Sequence, residues 1–169
     1  MIPVESIAAF TLVQTMTRAQ RAKVADTAQE VSFAARKRLF EEGGHASGCW
    51  LIRSGLIALE SVVPGRGAIV LQTLGPGDVL GWSWLVPPNR WQFGAVAMTP
   101  VTAVELDTGR LRALMDADPE LCCRLTRGMF DAVLDRLQNT RLRLLDVYGS
   151  PRDRVSSADA SASSSASER

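Results

Sequence analysis

The segment from Leu74 to Trp91 holds the residues whose chemistry is best suited to binding a ligand. It reads LGPGDVLGWSWLVPPNRW, so a glycine-rich turn leads into a short helix-like stretch that a double proline ends. Glycines let a backbone approach an anion closely, and the first amides of a short helix can point at a phosphate. Arg90 adds a fork of donors that suits a phosphate. Trp82, Trp84 and Trp91 can either stack on a flat ligand or fill the same hollow with their own rings.

The overall composition predicts one globular domain with a core of ordinary size. Hydrophobic residues make up 46% of the 169 residues, charged residues make up 22%, and the formal net charge is +1. Because the charges nearly cancel, no broad electrostatic field draws the chain to nucleic acid or to a membrane. No apolar run approaches the roughly 20 residues that span a bilayer, and the first residues do not resemble a secretory signal. We therefore expect a cytoplasmic protein.

The residues that usually carry catalysis or bind metals are sparse. His45 is the single histidine, and the three cysteines are Cys49, Cys122 and Cys123. A metal site needs more ligands than this set provides, so no metal is expected. A Ser-His-acid triad would have to use His45, which lies in a predicted surface turn without a nucleophile elbow nearby. We expect a protein that is not an enzyme.

Apolar periodicity divides the chain into helices, a run of strands and two further helices. Thr17 and Gln20 form a capping-box pattern that predicts a helix to about Glu30, after a short apolar helix over 5–15. Glycine and proline then separate short β-prone runs, which is typical of an antiparallel roll. The candidate strands are 31–33, 38–41, 49–54, 55–63, 68–74, 79–80, 92–98 and 101–107. The predicted organisation is an N-terminal helical segment (1–30), the roll (31–107, with a ligand segment at 74–93), two helices (108–148) and a Ser/Ala-rich disordered tail (149–169).

The last predicted helix is long and carries two apolar stripes. It starts at Pro119, where a missing N–H costs nothing, and nothing except Gly128 interrupts it before Val147. One stripe includes Phe130, Val133 and Leu137, and a second, partly apolar stripe contains Leu142. A helix of about 40 Å with two such stripes can pack on its own domain with one and on a partner with the other. We expect a homodimer through this helix, with packing on the roll alone as the alternative.

Four stretches together resemble the cyclic-nucleotide-binding domain of the catabolite-activator family of bacterial regulators. The stretches are FEEGG at 40–44 with WLIRSG at 50–55, LGPGDVLG at 74–81, the pair of strands that ends in Leu106-Asp107, and RLQ-x-T at 136–140. The resemblance covers about residues 5–148. It implies an α+β fold in which an antiparallel β-roll is flanked by N-terminal helices and a long C-terminal dimerisation helix. It also implies a regulatory role, and cyclic AMP or another cyclic nucleotide as the ligand.

The ligand segment departs from that family at the positions that contact the nucleotide. Where the family has a glutamate for the ribose hydroxyl, this chain has Trp82. The position of the phosphate-binding arginine falls on Trp91, one residue after Arg90, and the small residues that follow it become Gln92 and Phe93. The candidate ligand-binding residues are Gly81, Trp82, Ser83, Trp84, Arg90, Trp91, Gln92 and Thr140.

Two functions of different classes remain open on the sequence. The first is a regulatory module that binds a cyclic nucleotide or a related small ligand in the diverged segment and signals to a partner protein. The second is a ligand-free interaction scaffold whose pocket is filled by tryptophans. A third possibility is pairing with a full-length activator. Arginines on the long helix alternate with aspartates, and a Ser/Ala-rich segment follows Tyr148. We therefore expect no direct DNA binding.

Overall fold

The computed structural model describes residues 2–148, without the side chains of residues 143, 144 and 146–148. The chain divides into two units, residues 1–133 and 134–169, and the second is described up to residue 148. The predicted disorder of the 149–169 tail therefore lies outside the described residues. Three short helices come first: α1 (Glu5–Ala8), α2 (Thr11–Gln14) and α3 (Arg18–Ala25). The structure divides the predicted helix over 5–15 into α1 and α2, and Ile7, Phe10, Leu12 and Val13 of this stretch are buried.

Two four-stranded antiparallel sheets form the body of the first unit. The strands are β1 (Ala28–Phe33), β2 (Arg38–Phe40), β3 (Gly48–Ser54), β4 (Ile57–Val63), β5 (Gly67–Leu74), β6 (Val79–Leu80), β7 (Gly94–Ala97) and β8 (Val101–Asp107). One sheet has the order β1-β8-β3-β6 and the other β2-β7-β4-β5. Apolar side chains of both sheets and of the helices form one core cluster, in which Leu51, Ile52 and Ile57 are fully buried. The antiparallel β-roll that the sequence predicts is confirmed.

The predicted end of the first long helix, near Glu30, is wrong. Both hydrogen bonds of the Thr17–Gln20 capping box are present, which confirms where the helix begins. The helix nevertheless stops at Ala25, and Ala28 already pairs with Leu106 at the start of β1. The ladder with β8 pairs six residues of β1 there, and this tertiary pairing overrides a weak local helix preference.

The predicted start of the fourth strand, at Gly55, is also wrong, because the strand begins at Ile57. Gly55 has φ +85°, and a Cβ built on it would lie 2.2 Å from the Pro100 carbonyl oxygen. Only glycine combines this left-handed backbone with so close an approach. Gly55 therefore lies in the turn between β3 and β4. At the other end of the ligand segment, β7 begins at Gly94, two residues later than predicted.

Two helices follow β8. Helix α4 (Thr108–Ala117) begins where the Asp107 carboxylate accepts a hydrogen bond from the Arg110 amide, and Thr108 Oγ1 donates to the Ser47 carbonyl. Helix α5 (Pro119–Tyr148) begins at the proline that the sequence places there, and Leu121 and Leu125 are fully buried. Among the described residues, no helix combines the length and the apolarity needed to cross a membrane.

Candidate functional site

The backbone of the ligand segment starts with a tight turn that its own side chains stabilise. The Asp78 carboxylate accepts a hydrogen bond from the Gly75 amide at 2.7 Å, and the Gly77 amide donates to the Ile52 carbonyl at 2.9 Å. Gly77 has φ +93°. Strand β6 follows and pairs with β3 through Trp50 and Leu51. These two hydrogen bonds hold the turn and fix the direction in which the next residues run.

Gly81 is a glycine because protein atoms crowd it. Its φ is +86°, and an added Cβ would lie 2.5 Å from the Gly48 carbonyl oxygen and 3.2 Å from Cη2 of Trp91. In a phosphate-binding loop, a glycine at such a position clears room for the anion. Here the space beside Gly81 is taken by β3 and an indole ring. Close packing alone therefore explains this glycine.

A single turn of 3-10 helix, Ser83–Leu85, carries the most deeply buried tryptophan. Trp84 is 1% exposed, and its carbonyl oxygen accepts hydrogen bonds from Asn89 Nδ2 at 2.6 Å and from the Arg112 guanidinium. The same guanidinium lies 5.9 Å from the centre of the Trp84 ring, within the range of a cation–π contact. Ser83 is buried beside it, and Trp82 is half-buried. The Trp84 side chain is therefore part of the core, and the hydrogen bond from Arg112 links the Trp84 backbone to α4.

The thiol of Cys49 lies in the same interior. Burial raises the pKa of Cys49 to about 12 and outweighs the lowering effect of the Trp84 indole N–H that faces the sulfur. The Cys49 sulfur is a weak acceptor for this N–H. Apart from the sulfur, the Trp84 N–H has no hydrogen-bond partner among the described residues. A thiol with this pKa stays protonated at neutral pH, and Cys49 is therefore a packing residue rather than a nucleophile.

Trp91 occupies the interior of the roll in an aromatic stack. Its ring lies 3.9 Å from the ring of Phe40, centroid to centroid, at an interplanar angle of 14°, and 6.1 Å from Trp50. Phe40 and Trp50 are themselves 5.8 Å apart. Trp50 belongs to the core, and its indole N–H donates to Glu105. Trp91 is 6% exposed, so this ring fills space inside the roll.

Arg90 lies on the other side of the chain, in solvent. Its Nη1 donates to the Gly43 carbonyl oxygen at 2.7 Å, and its backbone forms a β-bridge with His45. Both Arg90 and Gln92 are exposed, and the Gln92 amide donates to the Arg90 carbonyl at 3.3 Å. Side chains alternate along an extended chain, so a buried Trp91 requires that its two neighbours face outward. The structure thus places Arg90 outside the interior that Trp91 fills.

Thr140, the last candidate, belongs to the second unit. Its hydroxyl donates to the Arg136 carbonyl at 2.9 Å, which is the usual internal bond of a helical threonine. The remaining candidates, Gly81 to Gln92, lie in one continuous segment. Sequence reasoning missed Gly48 against Gly81 and Arg112 on Trp84, which act through long-range contacts that no local pattern marks. It also missed Asn89, which lies inside the segment with φ +54° and bonds the Trp84 carbonyl five residues earlier.

Comparison with known proteins decides the family. The sequence profile of the cyclic nucleotide-binding domain matches residues 30–118. The chain belongs to this family. The chain is 30% identical to the helix-turn-helix transcriptional regulator Cmr of Mycobacterium tuberculosis over 128 positions, which cover 76% of this chain and 50% of Cmr. The CRP-like cAMP-activated global transcriptional regulator of the same organism is 28% identical over 119 positions, 70% of this chain and 51% of the regulator.

Solved structures of this cyclic nucleotide-binding family show the same fold. A structure from Geobacter metallireducens, assigned as a cyclic nucleotide-binding protein, superposes with a TM-score of 0.73 at 26% identity, over 81% of this chain and 99% of that one. The chain spans about half the length of the two curated M. tuberculosis relatives. The family resemblance and the β-roll expected from the sequence are therefore confirmed.

Proposed function

We propose that this chain is a non-catalytic regulatory module of the cyclic nucleotide-binding fold that acts through a protein partner and whose own nucleotide site is closed. The burial of Trp91 in the stack with Phe40 and Trp50 carries this proposal. The Trp91 ring lies where the family resemblance puts the phosphate-binding arginine, so the interior holds an indole in place of a cation. This is the second of the two functions that the sequence leaves open.

The charge of the site supports a closed pocket. A cyclic phosphate buried without a cation would lose several kcal/mol of solvation. Arg90 is the cation nearest in sequence, and its guanidinium already donates to Gly43 on the outside of the roll. Bringing it inside would require a one-residue register slip, which would turn Trp91 out into water. Exposing that indole, which buries roughly 200 Å² of apolar surface, would cost several kcal/mol more.

A sensor of cyclic nucleotides is the second candidate, and one observation favours it. The turn before β6, the left-handed Gly81 and the short helix at Ser83–Leu85 are all retained, so the backbone keeps the outline of a ligand segment. In that candidate Gly81 and Ser83 would offer amides, Arg90 the charge, Trp84 or Trp91 a stacking face, and Thr140 a hydrogen bond. The ligand would be cyclic AMP, which activates the related M. tuberculosis regulator according to that protein's name, or another cyclic nucleotide.

Titration calorimetry with cyclic AMP and cyclic GMP separates the two candidates. We expect no binding heat and no change in melting temperature at millimolar nucleotide, with the cAMP-activated regulator of M. tuberculosis as the positive control. Trp82→Glu combined with Trp91→Arg supplies the two missing contacts. We expect nucleotide to stabilise this double variant by about 2.7 kcal/mol when the nucleotide concentration is 100 times the dissociation constant. Micromolar binding by the unaltered protein, lost in Arg90→Ala, would establish the sensor instead.

We propose that two copies of the chain associate through α5. Within the second unit, Leu137, Leu142 and Leu145 are 46%, 60% and 66% exposed on this helix. Leu142 and Leu145 lie three residues apart on one stripe and Leu137 lies on the other, so both stripes of this helix offer exposed apolar side chains that another helix can cover. The proposed module is thus a homodimer. Three free thiols also fit a reducing compartment, and we place the protein in the cytoplasm.

Lysine at both Leu137 and Leu142 is expected to abolish this dimer. The two substitutions put a charge on each stripe, so whichever stripe faces the partner carries a buried lysine in both copies, which would cost more than the apolar contact provides. Sedimentation velocity should show the variant at half the mass of the unaltered dimer. Arg141→Lys, an exposed change on the same helix that keeps the charge, serves as the control. An unchanged mass in the double variant would exclude α5 as the interface.

A further inference from the structure

Strand β5 forms an open edge of the second sheet. The order β2-β7-β4-β5 ends on it, and among residues 2–148 no strand pairs with its outer side. Its inner side is bonded to β4 from Gly67 to Leu74. β7 pairs with β4 only from Ile57 to Glu60, so the far half of the β4–β5 hairpin extends past β7. The outer backbone groups of β5 are therefore available to another strand.

Several large apolar side chains of this hairpin are exposed. Val62 is 68% exposed, and Ile69, Val70 and Leu71 are 36%, 53% and 48% exposed. Gly67–Leu74 contains no charged residue and no proline. Natural proteins usually protect an open edge with lysine or proline, or by covering it. An uncharged apolar edge of eight residues is instead suited to pairing with another uncharged apolar strand.

Opposite charges mark the two ends of β5. Arg66 is exposed immediately before the strand, and the exposed Asp78 carboxylate is held after it by the Gly75 amide. Two antiparallel copies of β5 bring the Arg66 end of one to the Asp78 end of the other. Two parallel copies would put arginine beside arginine. Charge complementarity therefore favours a second copy of the same strand, related by a two-fold axis.

We infer that β5 pairs antiparallel with β5 of a second copy, so that two four-stranded sheets join into one of eight strands. A bulge adds Leu71 to β5 opposite the Leu59–Glu60 step and interrupts a regular ladder. The contact is consequently weak, and dilution reverses it. This inference goes beyond the proposed function, and together with the α5 contact it takes the assembly past a dimer.

Sedimentation equilibrium of the full chain over a wide concentration range tests the pairing. Val70→Lys sets two like charges near the centre of the paired strands, where directly opposed charges are destabilising. We expect it to remove one concentration-dependent doubling of mass. Val86→Lys is the matched control, because Val86 is 63% exposed in a loop, and it should behave as the unaltered chain. Melting curves verify that both variants fold.

The masses of Val70→Lys and Arg66→Ala decide the inference. Equal masses for Val70→Lys and the unaltered chain at every concentration overturn it, even if lysines at Leu137 and Leu142 reduce the mass and so uphold the α5 dimer. A mass lowered by Val70→Lys while the α5 variant has no effect upholds the β5 contact and refutes the α5 dimer. Arg66→Ala should weaken the association relative to Lys37→Ala, since antiparallel pairing loses an attraction. Strengthening by Arg66→Ala would mean parallel strands and would overturn the proposed arrangement.

Discussion

Replacing Trp91 by alanine is expected to lower the free energy of unfolding by about 3–5 kcal/mol, the range for removing a buried aromatic ring. The ring is 6% exposed and lies 3.9 Å from Phe40, so its loss leaves a cavity and also removes the aromatic contact. The backbone of residue 91 still bonds to Gly43 and Gly44, which keeps the chain in place. Urea unfolding of dilute protein, followed by circular dichroism, measures the change.

Gln92→Ala is the control for this prediction. Gln92 follows Trp91 directly and is exposed, so its truncation should change stability by no more than about 0.5 kcal/mol. A loss below about 1 kcal/mol in Trp91→Ala would mean that the ring does not fill the interior. The nucleotide pocket would then be open, and the proposal of a closed site would fail with it.

Gly128→Ala is expected to destabilise the protein by about 2 kcal/mol, although alanine is the better helix former by about 1 kcal/mol. An added Cβ would lie 2.4 Å from the carbonyl oxygen of Leu12 and 2.9 Å from its carbonyl carbon and Cα. These are backbone atoms of α2, and Leu12 is fully buried, so the contact cannot relax by rotating a side chain. The helix and α2 would have to move apart.

Gly109→Ala in α4 is the matched control for Gly128→Ala. An added Cβ there would meet Asp107 Oδ1 at 3.4 Å, an ordinary van der Waals distance. Its stability should be unchanged or slightly raised, and the two variants can be compared by the same urea titration. If both alanines stabilise the protein, α5 does not pack against Leu12 in solution.

Most of the elements were predictable because their signals are local. Thr17 and Gln20 mark the start of α3, Pro119 marks the start of α5, and glycine or proline separates the strands. Each of these residues acts on a backbone within a few positions of itself. The wrong boundaries have long-range causes. The backbone of Ala28 pairs with Leu106, and Gly55 lies against Pro100.

The sequence alone determined the family, the β-roll, and the replacement of the expected glutamate and arginine by Trp82 and Trp91. It left open whether Arg90 or Trp91 faces inward, because one residue of register reverses every side chain of an extended segment. The bonds of Gly43 and Gly44 to Trp91 fix that register, and the stack with Phe40 and Trp50 gains from burying the indole. Only the tertiary structure could decide this, since the residues that set the register, Gly43 and Gly44, lie almost 50 positions away in the chain.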